Sequence, residues 1–309
     1  MRPPLSPSDE ALVDLLSSRK PSELLPILLE VARRQSARRT PRDLLARYSR
    51  DAFVAPSMVD QRSTLRFDAA ALEAAAGFEA LLLSPLTPQG TCSVVSPTTQ
   101  DRSVTTPRST EVVSDPTNVL ALECARRLLA GERHVRLCTV HQVVRPQRFE
   151  RKPGHSQHFR MFALGEAGIA RGEHGFEVDA VVAHAKVLLR IFELCESIGC
   201  RLPSRRARLL LAPEGQPAGE RIERRLAGEL PDLPVEIATL ESSYYDGIRL
   251  LIDAEMEPGQ YVNLGDVGVF DWMAKLTSNG RMRFVAAGFG LQLLRLLFYP
   301  PSQATALRT

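Results

Sequence analysis

The chain has 309 residues, of which 44% are hydrophobic, and a net charge of +3. That length gives one large domain or two small ones a workable core, and so weak a positive balance does not by itself argue for nucleic-acid binding. The five cysteines are odd in number and include no C-x-x-C pair, which speaks against a disulfide framework; with no signal-like opening and no apolar run long enough for a bilayer, a cytoplasmic protein without membrane association is expected.

In chain order, residues 1 to about 50 read as helices punctuated by proline. Ser8-Asp9-Glu10 caps a helix running to Ser18, and Pro21-Ser22-Glu23 opens a second through Arg34. Thr40-Pro41 reads as a cap followed by a first-turn proline. The arginines of this arm (Arg33, Arg34, Arg38, Arg39, Arg42, Arg47 and Arg50) suit RNA, but a solvated helix face is the preferred reading. An alanine-rich helix is expected over 68–79. Short extended pieces rich in Ser, Thr and Pro then lead to a helix over 118–129, where Leu120, Ala121, Cys124 and Leu128 recur at helical spacing. Asp115 or Thr117 is placed to cap it.

Val135 to Arg145 is rich in β-branched residues and predicts a strand. His158 to Leu164 predicts a second, and the basic segment 146–157 between them carries Arg148, Arg151, Lys152 and His155. An arginine at a strand end below a cationic loop suits a polyphosphate, because guanidinium offers phosphate a planar fork of donors. On spacing alone, a solvated basic loop is the preferred reading. Residues 172–236 follow with a helix-strand-helix-strand pattern, expected as a small α/β insert. His174 and His184 lie there without metal-ligand spacing and are read as structural or surface residues. Tyr244 and Tyr245 are read as neighbours on a strand, so that only one can face a given pocket.

Five segments together carry a resemblance. Val144-Arg145, a loop and then His155-x-x-x-Phe159 resembles motif 2 of the class II aminoacyl-tRNA synthetase catalytic domain, with Gln147 where that motif has Glu. Asp115-Pro116-Thr117 is similar to a D-x-T segment of the regulatory subunit of ATP phosphoribosyltransferase, a paralogue of histidyl-tRNA synthetase. Tyr244-Tyr245-Asp246-Gly247-Ile248 resembles the second half of the family's R-G-L-D-Y-Y-T-G stretch, and the arginine of its first half has no match. Gly268, Phe270 and Asp271 fit G-G-R-Y-D, with Val269 for the arginine. Gly288, Gly290 and Arg295 fit motif 3, with Gln292 for its third glycine.

The resemblance covers roughly residues 80 to 300. It implies an α/β fold of the class II synthetase type: a mainly antiparallel sheet flanked by helices, with a helical arm (1–67) and a core (68–309) holding the insert 172–236. It implies an ATP site formed by Arg145, Gln147, His155, Phe159, Gly288, Gly290 and Arg295, with Arg145 on the α-phosphate, His155 and Arg295 on the γ-phosphate and Phe159 on the adenine. Arg145 and Arg295 would be the catalytic pair. Asp115, Thr117, Tyr244, Tyr245, Gly247 and Asp271 would hold an amino acid. Magnesium would accompany ATP, with no protein-bound metal, and a homodimer is the family expectation. The chain ends soon after motif 3, where an anticodon-binding domain would begin. Two functions follow as expectations: an adenylating enzyme that passes its acyl group to a tRNA, a carrier protein or a small molecule, or a non-catalytic regulatory subunit serving a partner enzyme.

Overall fold

The computed structural model describes residues 5–57, 59–146 and 156–300. The arm forms α1 (Pro7–Ser17), α2 (Pro21–Ala37) and α3 (Pro41–Tyr48). Thr40 and Asp43 make a reciprocal capping box at the start of α3, as the Thr-Pro pair predicts. None of the three helices has a buried residue. Arg33 and Arg34 face solvent and pair with Glu30.

Helix α4 runs from Gln61 to Ala74, seven residues ahead of the expected start, because the Asp60 carboxylate accepts from the Ser63 N–H and caps it there. After β1 (Glu79–Ala80) the chain makes a small sheet of β2 (Leu86–Pro88) and β3 (Thr110–Val112). Then come α5 (Pro116–Leu129), β4 (His134–Val144), β5 (His158–Ile169) and α6 (Gly175–Ser197). The remainder is β6 (Arg205–Leu211), α7 (Gln216–Glu229), β7 (Val235–Thr239), β8 (Ile248–Glu257), β9 (Gln260–Phe270), α8 (Trp272–Thr277), β10 (Met282–Phe289) and α9 (Leu291–Phe298).

Among the described residues the main sheet has eight strands in the order β1-β4-β5-β10-β9-β8-β6-β7, and only the outer pairs β1·β4 and β6·β7 are parallel. The stretch 172–236 joins this sheet directly: β6 pairs antiparallel with β8, and α6 lies in the main core. Alternation along β10 divides its side chains between two cores. Val285, Ala287 and Phe289 join α4, α6 and α9 on one face; Phe284 and Ala286 join α5 and α8 on the other. Leu120, Cys124 and Leu128 anchor α5 there, and a fully buried leucine such as Leu120 contributes roughly 1.5–3 kcal/mol.

That second face thins toward the upper ends of β9 and β10. Gly268 pairs with Ala286 and Asp266 with Gly288, so the sheet presents little side-chain volume there. Neither α5 nor α8 fills the space, and a cleft of about 450 Å³ opens.

Candidate functional site

Two walls and a floor enclose the cleft. One is the start of α5. Asp115 is its N-cap: Oδ1 accepts from the Thr117 N–H at 3.1 Å and from the Thr117 hydroxyl at 2.7 Å. The cap and ligand roles are therefore compatible, because Oδ2 remains turned to the cleft, 3.4 Å from Arg145 Nη2. Arg145 closes the β4–β5 hairpin, its N–H bonded to the Gln157 carbonyl at 2.7 Å. Its Nε donates to the Ser114 carbonyl at 2.8 Å, and its guanidinium lies 5.2 Å from the centre of the Phe159 ring. Burial pulls the Arg145 pKa down, with Asp115 acting against it and Arg102 with it.

The second wall is the segment 242–249. Tyr244 and Tyr245 stand on a turn, and β8 begins only at Ile248. Strand alternation thus does not apply, and both rings line the cleft, edge to face at 5.0 Å. Tyr245 donates its hydroxyl proton to Asp266 at 2.8 Å. Asp266 also accepts two bonds from Arg249, at 3.1 and 2.7 Å, and the Arg249 guanidinium stacks 4.7 Å over the Tyr245 ring. Burial is the chief cause raising both tyrosine pKa values, with Asp115 adding for Tyr244 and Asp266 for Tyr245, so both stay neutral donors. The floor is Gly268, Ala286, Gly288 and Gly290, and Met161 lies over Gly288.

Of the residues expected to bind ATP, Arg145, Phe159, Gly288 and Gly290 meet in this cleft. Gln147 and His155 lie outside the described residues. Arg295 does not meet the others. It is buried on α9 and donates from Nε to the Ser63 hydroxyl of α4 at 2.7 Å. Gln292 does not fill the floor either; its side-chain carbonyl accepts from the Arg160 N–H at 3.2 Å. Of the residues expected to hold an amino acid, Asp115, Thr117, Tyr244 and Tyr245 line the cleft. Gly247 lies behind it. Its φ of 76° makes the turn, and Gly215 packs so tightly on its carbonyl that a side chain at 215 would collide. Asp271 opens α8 and pairs with Lys275 at 2.6 Å; it borders a separate recess with Glu177, Asp246 and Arg283.

The cleft also contains Arg102, Arg249 and Asp266, which the sequence reading passes over. A lone arginine in IRLLI and a lone aspartate in LGDVGVF were the available signals, since an ionised side chain in an otherwise apolar strand needs a partner. Arg102 gave no such signal; it sits in a loop among other polar residues.

Gly268 offers a direct check on the tyrosine wall. A Cβ there would fall 2.5 Å from Tyr245 Cδ1 and 2.7 Å from Phe270 Cζ. Gly268→Ala is expected to push the Tyr245 ring off Asp266 and to weaken ligand binding in the cleft about tenfold, while the circular dichroism spectrum stays unchanged. Unaltered affinity in calorimetry would mean that Tyr245 does not shape the site.

This sheet order with this cleft defines the class: the chain has the catalytic fold of the class II aminoacyl-tRNA synthetases. No protein-family model matches the chain, and no curated protein matches it. Solved structures do. An ATP phosphoribosyltransferase regulatory subunit/histidyl-tRNA synthetase from Bacillus halodurans superposes with a TM-score of 0.56 at 13% identity, over 79% of this chain and 82% of that one. Apo histidyl-tRNA synthetase from S. aureus gives 0.57 at 11% identity, over 79% and 68%. A histidine–tRNA ligase subunit from Alicyclobacillus acidocaldarius gives 0.53 at 13% identity, over 79% and 96%. At these identities the likeness is one of fold.

Proposed function

We propose that this chain is a class II synthetase-like protein that binds ATP and an amino acid side by side in the cleft and joins them as an aminoacyl-adenylate. The observation that carries this reading is the meeting of Asp115 and Arg145 at one corner, 3.4 Å apart, above a floor of small residues. Asp115 Oδ2 is the acceptor for a substrate ammonium. Arg145 is the donor for the α-phosphate. A carboxylate held beside Asp115 attacks the α-phosphorus, forming an oxygen–phosphorus bond. The bond from that phosphorus to the bridging oxygen breaks, and pyrophosphate leaves. Negative charge builds on the α-phosphate oxygens, and an arginine already fixed by Ser114 stabilises it without having to reorganise. Among the described residues, no group of three His, Cys, Asp or Glu side chains is arranged to hold a metal ion. Magnesium accompanies the triphosphate, whose own charge calls for a divalent counter-ion. Among the described residues, no helix is long and apolar enough to cross a membrane, and a homodimer, with a tRNA, carrier protein or small molecule as acceptor, completes the proposal.

Arg295 favours a second reading. Bonded to Ser63, it does not line the cleft, as suits a binding or regulatory subunit that has no need of chemistry. ATP–pyrophosphate exchange decides between the two. Exchange that depends on one amino acid is expected from the first reading. Tight amino-acid binding without exchange would replace it with the second.

A further inference from the structure

We infer that the amino acid bound in this cleft carries a second anionic group on its side chain, and that Arg102 holds that group. The inference rests on the amino-acid site proposed above and names the class of its ligand. It begins with the charges of the cleft. Three arginines line it, Arg102, Arg145 and Arg249, and two aspartates, Asp115 and Asp266. Asp115 is paired with Arg145, and Asp266 takes both bonds from Arg249. Among the described residues, Arg102 is the one of the three without a carboxylate partner. The α-phosphate of ATP falls to Arg145, and the α-carboxylate of the amino acid faces that phosphate. A carboxylate on the side chain of the amino acid is the group left to meet Arg102.

Arg102 is built into this position. It ends a 3-10 turn over Gln100–Arg102. The turn is pinned by the buried carboxylate of Glu111, on β3, which accepts from the Gly90 and Cys92 N–H groups at 2.9 Å each and from Gln100 Nε2 at 2.6 Å. The next residue, Ser103, donates its hydroxyl to the Val112 carbonyl at 2.7 Å. The backbone on both sides of Arg102 is thereby fixed to the small β2–β3 sheet. The Nε of Arg102 is shielded from solvent and has no hydrogen-bond partner among the described residues. Leaving a donor of a charged group unmatched is costly, and an anion that reaches the guanidinium from the cleft offsets that cost. Arg102 and Arg145 also act on one another unfavourably across the cleft, a repulsion that an anion between them removes. Ser242 and Tyr244 line the same cleft, and the charge of Arg102 acts on the Tyr244 hydroxyl.

The test is calorimetric titration of the full chain with aspartate, glutamate, asparagine, glutamine, O-phosphoserine and leucine, each with and without ATP and magnesium. The acid arms separate a carboxylate from a phosphate as the preferred anion. A dicarboxylic or phosphorylated amino acid is expected to bind at least 30-fold more tightly than its neutral counterpart. Arg102→Gln is expected to reduce that preference to less than threefold while keeping the affinity for the neutral amide. Equal affinity for acid and amide in the unaltered protein overturns the inference, and so does an acid preference that survives Arg102→Gln. Leucine or an amide binding as tightly as the acids, with that binding lost in Arg145→Ala, would leave the site reading standing and this inference refuted. Failure of all the amino acids to bind refutes both.

Discussion

Replacing Arg145 with alanine is expected to abolish pyrophosphate exchange and to weaken nucleotide binding on the order of 100-fold, with the fold intact. The expectation follows from how the side chain is held. Nε is committed to the Ser114 carbonyl and Nη2 to Asp115, which aims the rest of the guanidinium into the cleft. Its burial means that a phosphate oxygen meets the charge in a medium that screens it poorly. The alanine variant leaves the α5 cap in place, since that bond uses Oδ1 of Asp115. Circular dichroism and the urea midpoint should therefore separate a lost contact from a lost fold. Arg145→Lys should restore little, because one ammonium cannot reach the Ser114 carbonyl, Asp115 and a phosphate together. Nucleotide affinity that is unchanged in Arg145→Ala would remove ATP from this end of the cleft.

The second large effect is on stability and runs through Glu166, far from the cleft on β5. It is 6% exposed. His134 Nε2 lies 2.7 Å from one oxygen, and Arg136 and His184 each lie 3.4 Å from the other. Burial works against its charge, but His184, Arg136 and His134 outweigh it and bring the carboxyl down to about 2. The unfolded chain thus holds that proton more tightly than the folded one does. The stabilisation is complete above the ordinary glutamate value of 4.5 and is lost as pH falls from there toward 2. Burial also lowers the pKa of His184, despite the pull of Glu166, so the folded state keeps its ring neutral. That contribution declines as pH drops below 6.5, in the same direction. Urea midpoints are therefore expected to fall steadily from pH 7 and most steeply below 4.5. Glu166→Gln should lower the midpoint at pH 7, and its acid limb should be shallower. Parallel limbs for the two proteins would show that the charge is not what stabilises this layer.

Legibility in the sequence followed periodicity. Strands β4 and β5, with their β-branched and aromatic residues, were readable within a residue at their starts; α5, whose apolar positions repeat every three or four residues, was readable at its end and begins two residues before the expected 118. The start of α4 was missed because a cap outranks composition: Asp60 begins the helix in a polar stretch, ahead of the alanines. The tyrosine pair was assigned to a strand because its neighbours are extended, and the turn at Gly247 is what brings both rings to one side. Asp115 and Arg145 were legible as a pair only through the order of the motifs around them. The link between Arg249 and Asp266 depends on two strands coming into register, and the position of Arg102 depends on a carboxylate nine residues further along the chain. No local pattern encodes either.

The bond between Arg295 and Ser63 joins the helix after the glycine floor to the helix that follows the arm. Arg66 reinforces the junction by donating to the Tyr299 hydroxyl at 3.2 Å, and Phe67 meets the Tyr299 ring edge to face at 5.4 Å. A ligand that recruits Arg295 must first break a charge-assisted hydrogen bond worth about 2 kcal/mol, so it starts roughly 30-fold weaker than the bare contacts would allow. That handicap is a threshold, set outside the pocket, and whatever shifts α4 moves it. By reciprocity, a saturating ligand that draws Arg295 away loosens the seat of α4 by the same factor. The grip between α4 and α9 and the occupancy of the cleft are then two readings of a single equilibrium.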